Sequence, residues 1–165
     1  MNLKCTKKLL DMLKIKNPNN FKIPTSNEDI ENWHCNIIDF GKIYGVLITN
    51  DKTLFSFYIF GLKKSDFKDF SEIIKQTIFK TMLNMGFEQK KFEVILESME
   101  NIQFNKTDNK KVLASMNQML PYIYSCMEKD DSLLDINIGL NNMIQNKLEL
   151  KIPKKQFELL LKECV

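Results

Sequence analysis

No arginine occurs in the 165 residues, so all 24 basic side chains are lysines. The chain therefore has no planar guanidinium fork for a guanine edge or a phosphate, and must meet anions with lysine ammonium groups and main-chain N–H groups. Histidine is almost absent too, with His34 alone. The four cysteines, Cys5, Cys35, Cys126 and Cys164, are scattered without a Cys-x-x-Cys pair. That spacing argues against a disulfide framework and against a zinc site, and marks them as free, mostly buried thiols. Glycine is scarce at five residues, and there is no phosphate-cradling, dinucleotide-binding, nucleophile-elbow or kinase signature. Nucleotide-dependent enzymes of those kinds are excluded. No apolar run is long enough to span a bilayer, and lysines and Asp11 interrupt the first residues before a signal-type apolar segment can develop. A cytoplasmic protein with no membrane association is expected.

What is present is an ordinary globular composition, 44% hydrophobic and 27% charged, with a net charge of +3 that permits nucleic-acid contact without predicting it. One globular domain over residues 1–165 is expected. The run from Trp33 to Phe60 organises the rest, reading as three consecutive strands in an antiparallel meander. Gly41 supplies the first position of a two-residue turn, and the polar stretch from Thr49 to Thr53 a longer one. Ile43–Ile48 is apolar on both faces, which places it in the middle with material packed on each side.

Around the meander the periodicity is mostly helical. Met1, Leu3 and Cys5 alternate with polar residues as a short strand, and Thr6 can cap a helix carrying Leu9, Leu10 and Leu13. Asn17 to Asn32 reads as a loop with at most a helical turn at Asn27–Glu31. The stripe from Phe67 through Ile74, Ile78 and Met85 predicts a helix ended by Gly86. A shorter helix follows, then a strand at Ile102–Asn105, then a methionine-rich helix capped by Asp108 or Asn109, with Pro121 predicting a kink near Asn117. Ser132 and Asp135 open another helix with Gly139 as a weak point, Leu148–Ile152 alternates as an edge strand, and Pro153 begins the last helix. The fold class is α+β or α/β, a central meander extended by short strands and covered by helices.

His34 is followed by Cys35, but neighbours on a strand point to opposite faces, so this is no cysteine–histidine nucleophile, and His34 is expected to be structural. Asp130, Asp131 and Asp135 are explained by capping and dipole effects. The lysine pairs Lys63–Lys64 and Lys90–Lys91 read as solvated helix flanks. Two polar stretches sit where a strand passes into a helix: Thr6-Lys7-Lys8 and Lys106-Thr107-Asp108-Asn109-Lys110-Lys111. If the two strands lie side by side and parallel, hydroxyls, lysines and helix N–H groups converge in an anion site; capping alone also explains the residue types.

Three separated motifs resemble a bacterial family of small proteins, a domain of unknown function also met in phage and plasmid settings. They are Leu3-x-Cys5-Thr6-Lys7-Lys8-Leu9-Leu10, Trp33-x-x-Asn36, and Lys106-Thr107-x-Asn109-x-x-Val112-Leu113-x-Ser115-Met116-Asn117. An arginine of the family pattern is replaced at Lys110-Lys111, and a glycine by Ala114. The resemblance implies no established activity, but it groups Thr6, Lys7, Trp33, Asn36, Lys106, Thr107, Asn109 and Asn117. Trp33 and Asn36 must face opposite sides of the sheet, and Asn36 is the functional candidate. The expected binding residues are thus Thr6, Lys7, Lys8, Asn36, Lys106, Thr107, Asn109, Lys110 and Asn117, with no catalytic residue, metal or cofactor. The expected function is a non-catalytic protein-docking role in a mobile-element or host-defence setting, such as inhibition of a defence nuclease. The alternative is an enzyme acting on nucleic acid or phosphoesters, and a third reading is the sensing of a small anion.

Overall fold

The computed structural model describes residues 1–16, 18, 28–145 and 151–163. Its strands are β1 (Asn2–Cys5), β2 (Asn32–Asp39), β3 (Tyr44–Asn50), β4 (Ser56–Leu62) and β5 (Gln103–Lys106), joined in one sheet in the order β4-β3-β2-β1-β5. β2, β3 and β4 form the antiparallel meander, and β1 runs parallel to both of its neighbours, β2 and β5. The first turn of the meander is built as its glycine requires: Gly41 has φ +86° and the Phe40 N–H donates to the Ile43 carbonyl at 3.0 Å. The second is organised by one side chain. Asn50 Oδ1 accepts from the Lys52 N–H at 3.2 Å, the Thr53 N–H at 3.0 Å and the Thr53 hydroxyl at 2.8 Å, while its Nδ2 donates to the Asp29 carbonyl at 2.9 Å.

The helices are α1 (Lys7–Met12), α2 (Glu28–Glu31), α3 (Phe70–Asn84), α4 (Gln89–Ser98), α5 (Lys110–Glu128), α6 (Leu133–Asn142) and α7 (Pro153–Lys162). α2 is the single turn expected before Asn32. Side chains alternate across a strand, so the two faces of the sheet make two cores. On one face Leu3, Trp33, Ile48 and Phe57 pack with residues of α1, α3, α4 and α7. Trp33 is its centre, edge-on to Phe57 at 5.8 Å and Phe157 at 5.7 Å, with its indole N–H donating to the Ile30 carbonyl at 2.6 Å. On the other face Ile38, Leu47 and Tyr58 pack under Val112, Met116, Met119 and Ile123 of α5 and Ile136 and Leu140 of α6. β3 feeds both cores, as its two-faced apolar run requires.

Gly86, at φ +76°, ends α3 as expected. α5 is one continuous helix across Pro121. Gly139 is also a contact: a Cβ there would fall on the Tyr122 hydroxyl, so a larger residue must push that half-buried ring aside. Lys91 is not a solvated flank either. It is 8% exposed, its stem covered where α4 packs on the fold, with its ammonium 3.8 Å from Glu88. The expected strand over Leu148–Ile152 falls largely outside the described residues, with one isolated bridge between Gln145 and Lys151 at its margin. Cys164 lies outside them too.

Candidate functional site

The register aligns five polar residues in one row across the sheet. Asn105 pairs with Lys4, Lys4 with His34, His34 with Thr49 and Thr49 with Ser56, all on the face covered by α5. At the β4 end the row is neutral, with the Thr49 and Ser56 hydroxyls bonded at 2.9 Å and Ser56 donating onward to the Leu54 carbonyl at 2.8 Å. At its centre it is charged. Lys4 Nζ lies 2.9 Å from Asp51 Oδ2 and 2.9 Å from Asp108 Oδ2, one carboxylate from the turn after β3 and the other from the loop before α5. His34 Nδ1 lies 2.6 Å from Asp51 Oδ1, and the Asn109 N–H donates to His34 Nε2 at 3.3 Å. His34 Nδ1 thus faces the Asp51 carboxylate, while Nε2 faces both the Asn109 N–H and, at 3.5 Å, Asp108 Oδ1.

The electrostatics follow from this arrangement. Burial works to lower the Lys4 ammonium, but the bonds to Asp51 and Asp108 outweigh it and hold its pKa above the ordinary value. Burial likewise works to raise Asp51, and the bonds from His34 and Lys4 overcome it, leaving that carboxyl below its ordinary range. Among the described residues, His34, Asp51 and Asp108 form a grouping whose ligand atoms lie within 4.8 Å of one another. The Lys4 ammonium already sits against both carboxylates, so an added cation must displace it. The His34–Asp51 pair has the form of a base and its orienting carboxylate. Nε2, however, faces the Asn109 amide and the Asp108 carboxylate inside a residue with no exposed surface.

The residues singled out in the sequence lie around this cluster. The two strand-to-helix junctions are neighbours, because β1 and β5 are parallel and Cys5 is paired with Lys106. Thr6 and Thr107 therefore follow side by side. Thr6 donates its N–H to the Cys35 carbonyl at 3.0 Å, and Asn36 is the next residue of β2, half-buried on the α5 face. Thr6 stands at the N-cap position of α1, but its hydroxyl makes no cap bond and is buried without a partner, as is Asn105 Oδ1. Asn109 does cap α5: its Oδ1 accepts from the N–H groups of Lys111 at 3.0 Å and Val112 at 3.3 Å. Lys7, Lys8, Lys106 and Lys110 are exposed, Lys8 pairing with Asp39 at 2.8 Å. Asn117 is exposed two turns along α5, and Trp33 belongs wholly to the opposite core.

Sequence reasoning missed Lys4, Asp51, Asp108 and Asn105. Lys4 shares the polar side of the alternating first strand with Thr6, which is a usable signal. Nothing in the chain announces that two loop aspartates converge on it. His34 is buried, as a structural histidine should be, and its neighbour Cys35 lies on the other face. Cys5, Cys35 and Cys126 are buried free thiols, and burial together with the adjacent Cys5 pushes the Cys35 thiol well up. At the far end of the α5 face, Phe40, Phe60 and Tyr124 form a half-exposed aromatic cluster, with Phe40 5.3 Å from Phe60 and 6.2 Å from Tyr124.

These features define an α+β protein whose sheet carries a buried, mutually neutralised polar cluster and displays lysines where its parallel strands end. The chain belongs to the family described as Domain of unknown function (DUF6933), which matches residues 2–156. It is also similar to the periplasmic chaperone PpiD of Buchnera aphidicola subsp. Schizaphis graminum, with 28% identity over 171 residues, covering 88% of this chain and 27% of that protein. The chain thus spans about a quarter of that relative. No solved structure matches. Among the described residues no helix is long and apolar enough to cross a membrane.

Proposed function

We propose that this protein is a non-catalytic binding protein that docks a protein partner at the end of the sheet where β1 and β5 run into helices. The observation that carries this reading is the state of its reactive groups. The one histidine is fully buried with both ring nitrogens bonded, and the described thiols are buried, so the site presents neither an imidazole nor a described thiol to a substrate. What this end of the sheet presents instead is a lysine-rich rim, suited to an acidic protein surface. The likeness to a chaperone accords with protein binding. A cytoplasmic, mobile-element or host-defence setting, for instance as inhibitor of a defence nuclease, rests on the sequence motifs. A photo-crosslinking residue at Lys110 is expected to capture a protein of defined mass in expressing cells, and one at Lys80 on α3 is not. Equal capture at both positions, or nucleotide or nucleic-acid turnover abolished by Lys106→Ala, overturns the reading.

A second reading, a phosphoester or nucleic-acid enzyme, is supported by Lys7, Lys106 and Lys110, which are exposed beside Thr6 and Thr107 and make no ion pair among the described residues. Against it, the Asn109 cap already occupies two N–H groups at the start of α5 and His34 takes a third, from Asn109. It predicts nucleic-acid affinity that falls steeply with salt. Absence of binding at low salt excludes it.

A further inference from the structure

The two edges of the sheet are finished in different ways. At the β4 edge, Asn137 and Asn141, one turn apart on α6, pair with the outer main chain as a neighbouring strand would. Asn141 accepts from the Ser56 N–H at 2.7 Å and donates to the Ser56 carbonyl at 2.5 Å. Asn137 accepts from the Tyr58 N–H at 2.5 Å and donates to the Tyr58 carbonyl at 3.1 Å. Both amides are buried, so the edge is closed to another chain at Ser56 and Tyr58.

Among the described residues the β5 edge has no such cover. The Gln103 N–H donates to the Met1 carbonyl at 2.9 Å, which fixes the alternation: Gln103 and Asn105 turn their main-chain groups toward β1, and Phe104 and Lys106 turn theirs outward. No group among the described residues bonds to those outward N–H and C=O groups. Lys106 on this strand is exposed and without an ion pair among the described residues, as are Lys110 and Lys111 just beyond the loop that leaves it, while Asp108 in that loop is held by Lys4. An open edge carrying unneutralised positive charge recognises an extended main chain bearing acidic side chains.

We propose that β5 is a docking edge on which an extended acidic segment of a partner protein adds as a sixth strand, using the outward groups of Phe104 and Lys106, the Lys106 ammonium and the lysines that follow the strand's end. This rests on the protein-docking reading and names its surface and partner chemistry. The probe is an eight-residue peptide alternating glutamate and valine, followed by amide hydrogen exchange and chemical shifts of the intact protein. In the free protein, the Ser56 and Tyr58 amides are expected to be protected and the Phe104 and Lys106 amides to exchange fast. The peptide should slow exchange at Phe104 and Lys106. A version N-methylated at alternate residues, a version with lysine for glutamate, and Lys106→Glu protein should each weaken binding by more than about tenfold. The proposal is overturned if the glutamate peptide leaves the Phe104 and Lys106 amides unchanged, or if the lysine peptide binds equally. It is also overturned if those amides are already protected in a manner that rises with protein concentration, which is a second copy pairing at the edge. A partner crosslinked at Lys110 that leaves the β5 amides unchanged sinks the added strand and preserves the docking reading.

Discussion

Replacing Asn141 by leucine isolates what the amide cover at β4 contributes. The side chain is fully buried, and so is Ser56, whose main-chain N–H and C=O it satisfies at 2.7 and 2.5 Å. Leucine has the same branched skeleton of heavy atoms, is somewhat bulkier and leaves no cavity, so the loss is dominated by two orphaned main-chain groups at about 1–3 kcal/mol each. Added apolar burial returns roughly 1 kcal/mol, since it amounts to about one CH₂. The expected net loss is about 3 kcal/mol, read in urea denaturation as a lower midpoint with unchanged slope. For a chain of this size each kcal/mol moves Tm by about 2–4 °C, so Tm should fall by roughly 6–12 °C. Amide exchange of Ser56 should rise in parallel. A loss below about 0.5 kcal/mol, or a Ser56 amide that stays protected, refutes the view that Asn141 stands in for a strand.

Lys4→Met removes the cation between Asp51 and Asp108 and should lower stability by about 3 kcal/mol near neutral pH, checked by chemical denaturation. Asp51 has a lowered pKa, so its stabilisation is present above its ordinary value of 3.8 and is lost as pH falls through the lower folded value. Lys4 has a raised pKa, so its contribution is present below 10.5 and is lost as pH rises through the higher folded value. Wild-type stability should therefore hold between these limits, and Lys4→Met should weaken both limbs; an unchanged alkaline limb contradicts the assignment. Gly45→Ala places a Cβ inside the Tyr58 ring, which is itself fully buried, and should cost about 1–3 kcal/mol in thermal unfolding, mostly recovered when Tyr58 is also shortened. Cys5 and Cys35 should resist a thiol reagent in the native protein and react at the rate of unfolding; rapid labelling without denaturant contradicts their burial.

The meander was legible because its signals are local: a glycine in a two-residue turn, a polar stretch, and a run apolar on both faces. The helix before Gly86 was legible for the same reason. The convergence of the junctions at Thr6 and Thr107 followed once β1 and β5 were supposed parallel, which the structure shows. The charged cluster was not legible, because it joins Lys4, Asp51 and Asp108 from two loops and a strand far apart in the chain, and pairing over such distances leaves no periodic trace. Nothing in the chain marks Asn137 and Asn141 either, since asparagine is a weak helix former and their role depends on which strand ends at the edge beside α6. Gly139 read as a flaw because its partner, the Tyr122 hydroxyl, is invisible to helix propensity.

The row from Asn105 to Ser56 also acts as an alignment mark. The meander sets its own register through short turns, but β1 and β5 arrive from distant parts of the chain with no turn to position them. A slip of β1 by one residue would turn Lys4 toward Trp33 and Phe57 and leave Leu3 facing His34 and two carboxylates. Both changes are costly, because one strands an ammonium in an aromatic core and the other removes the cation from Asp51 and Asp108. The cluster therefore tells two remote strands where to stop.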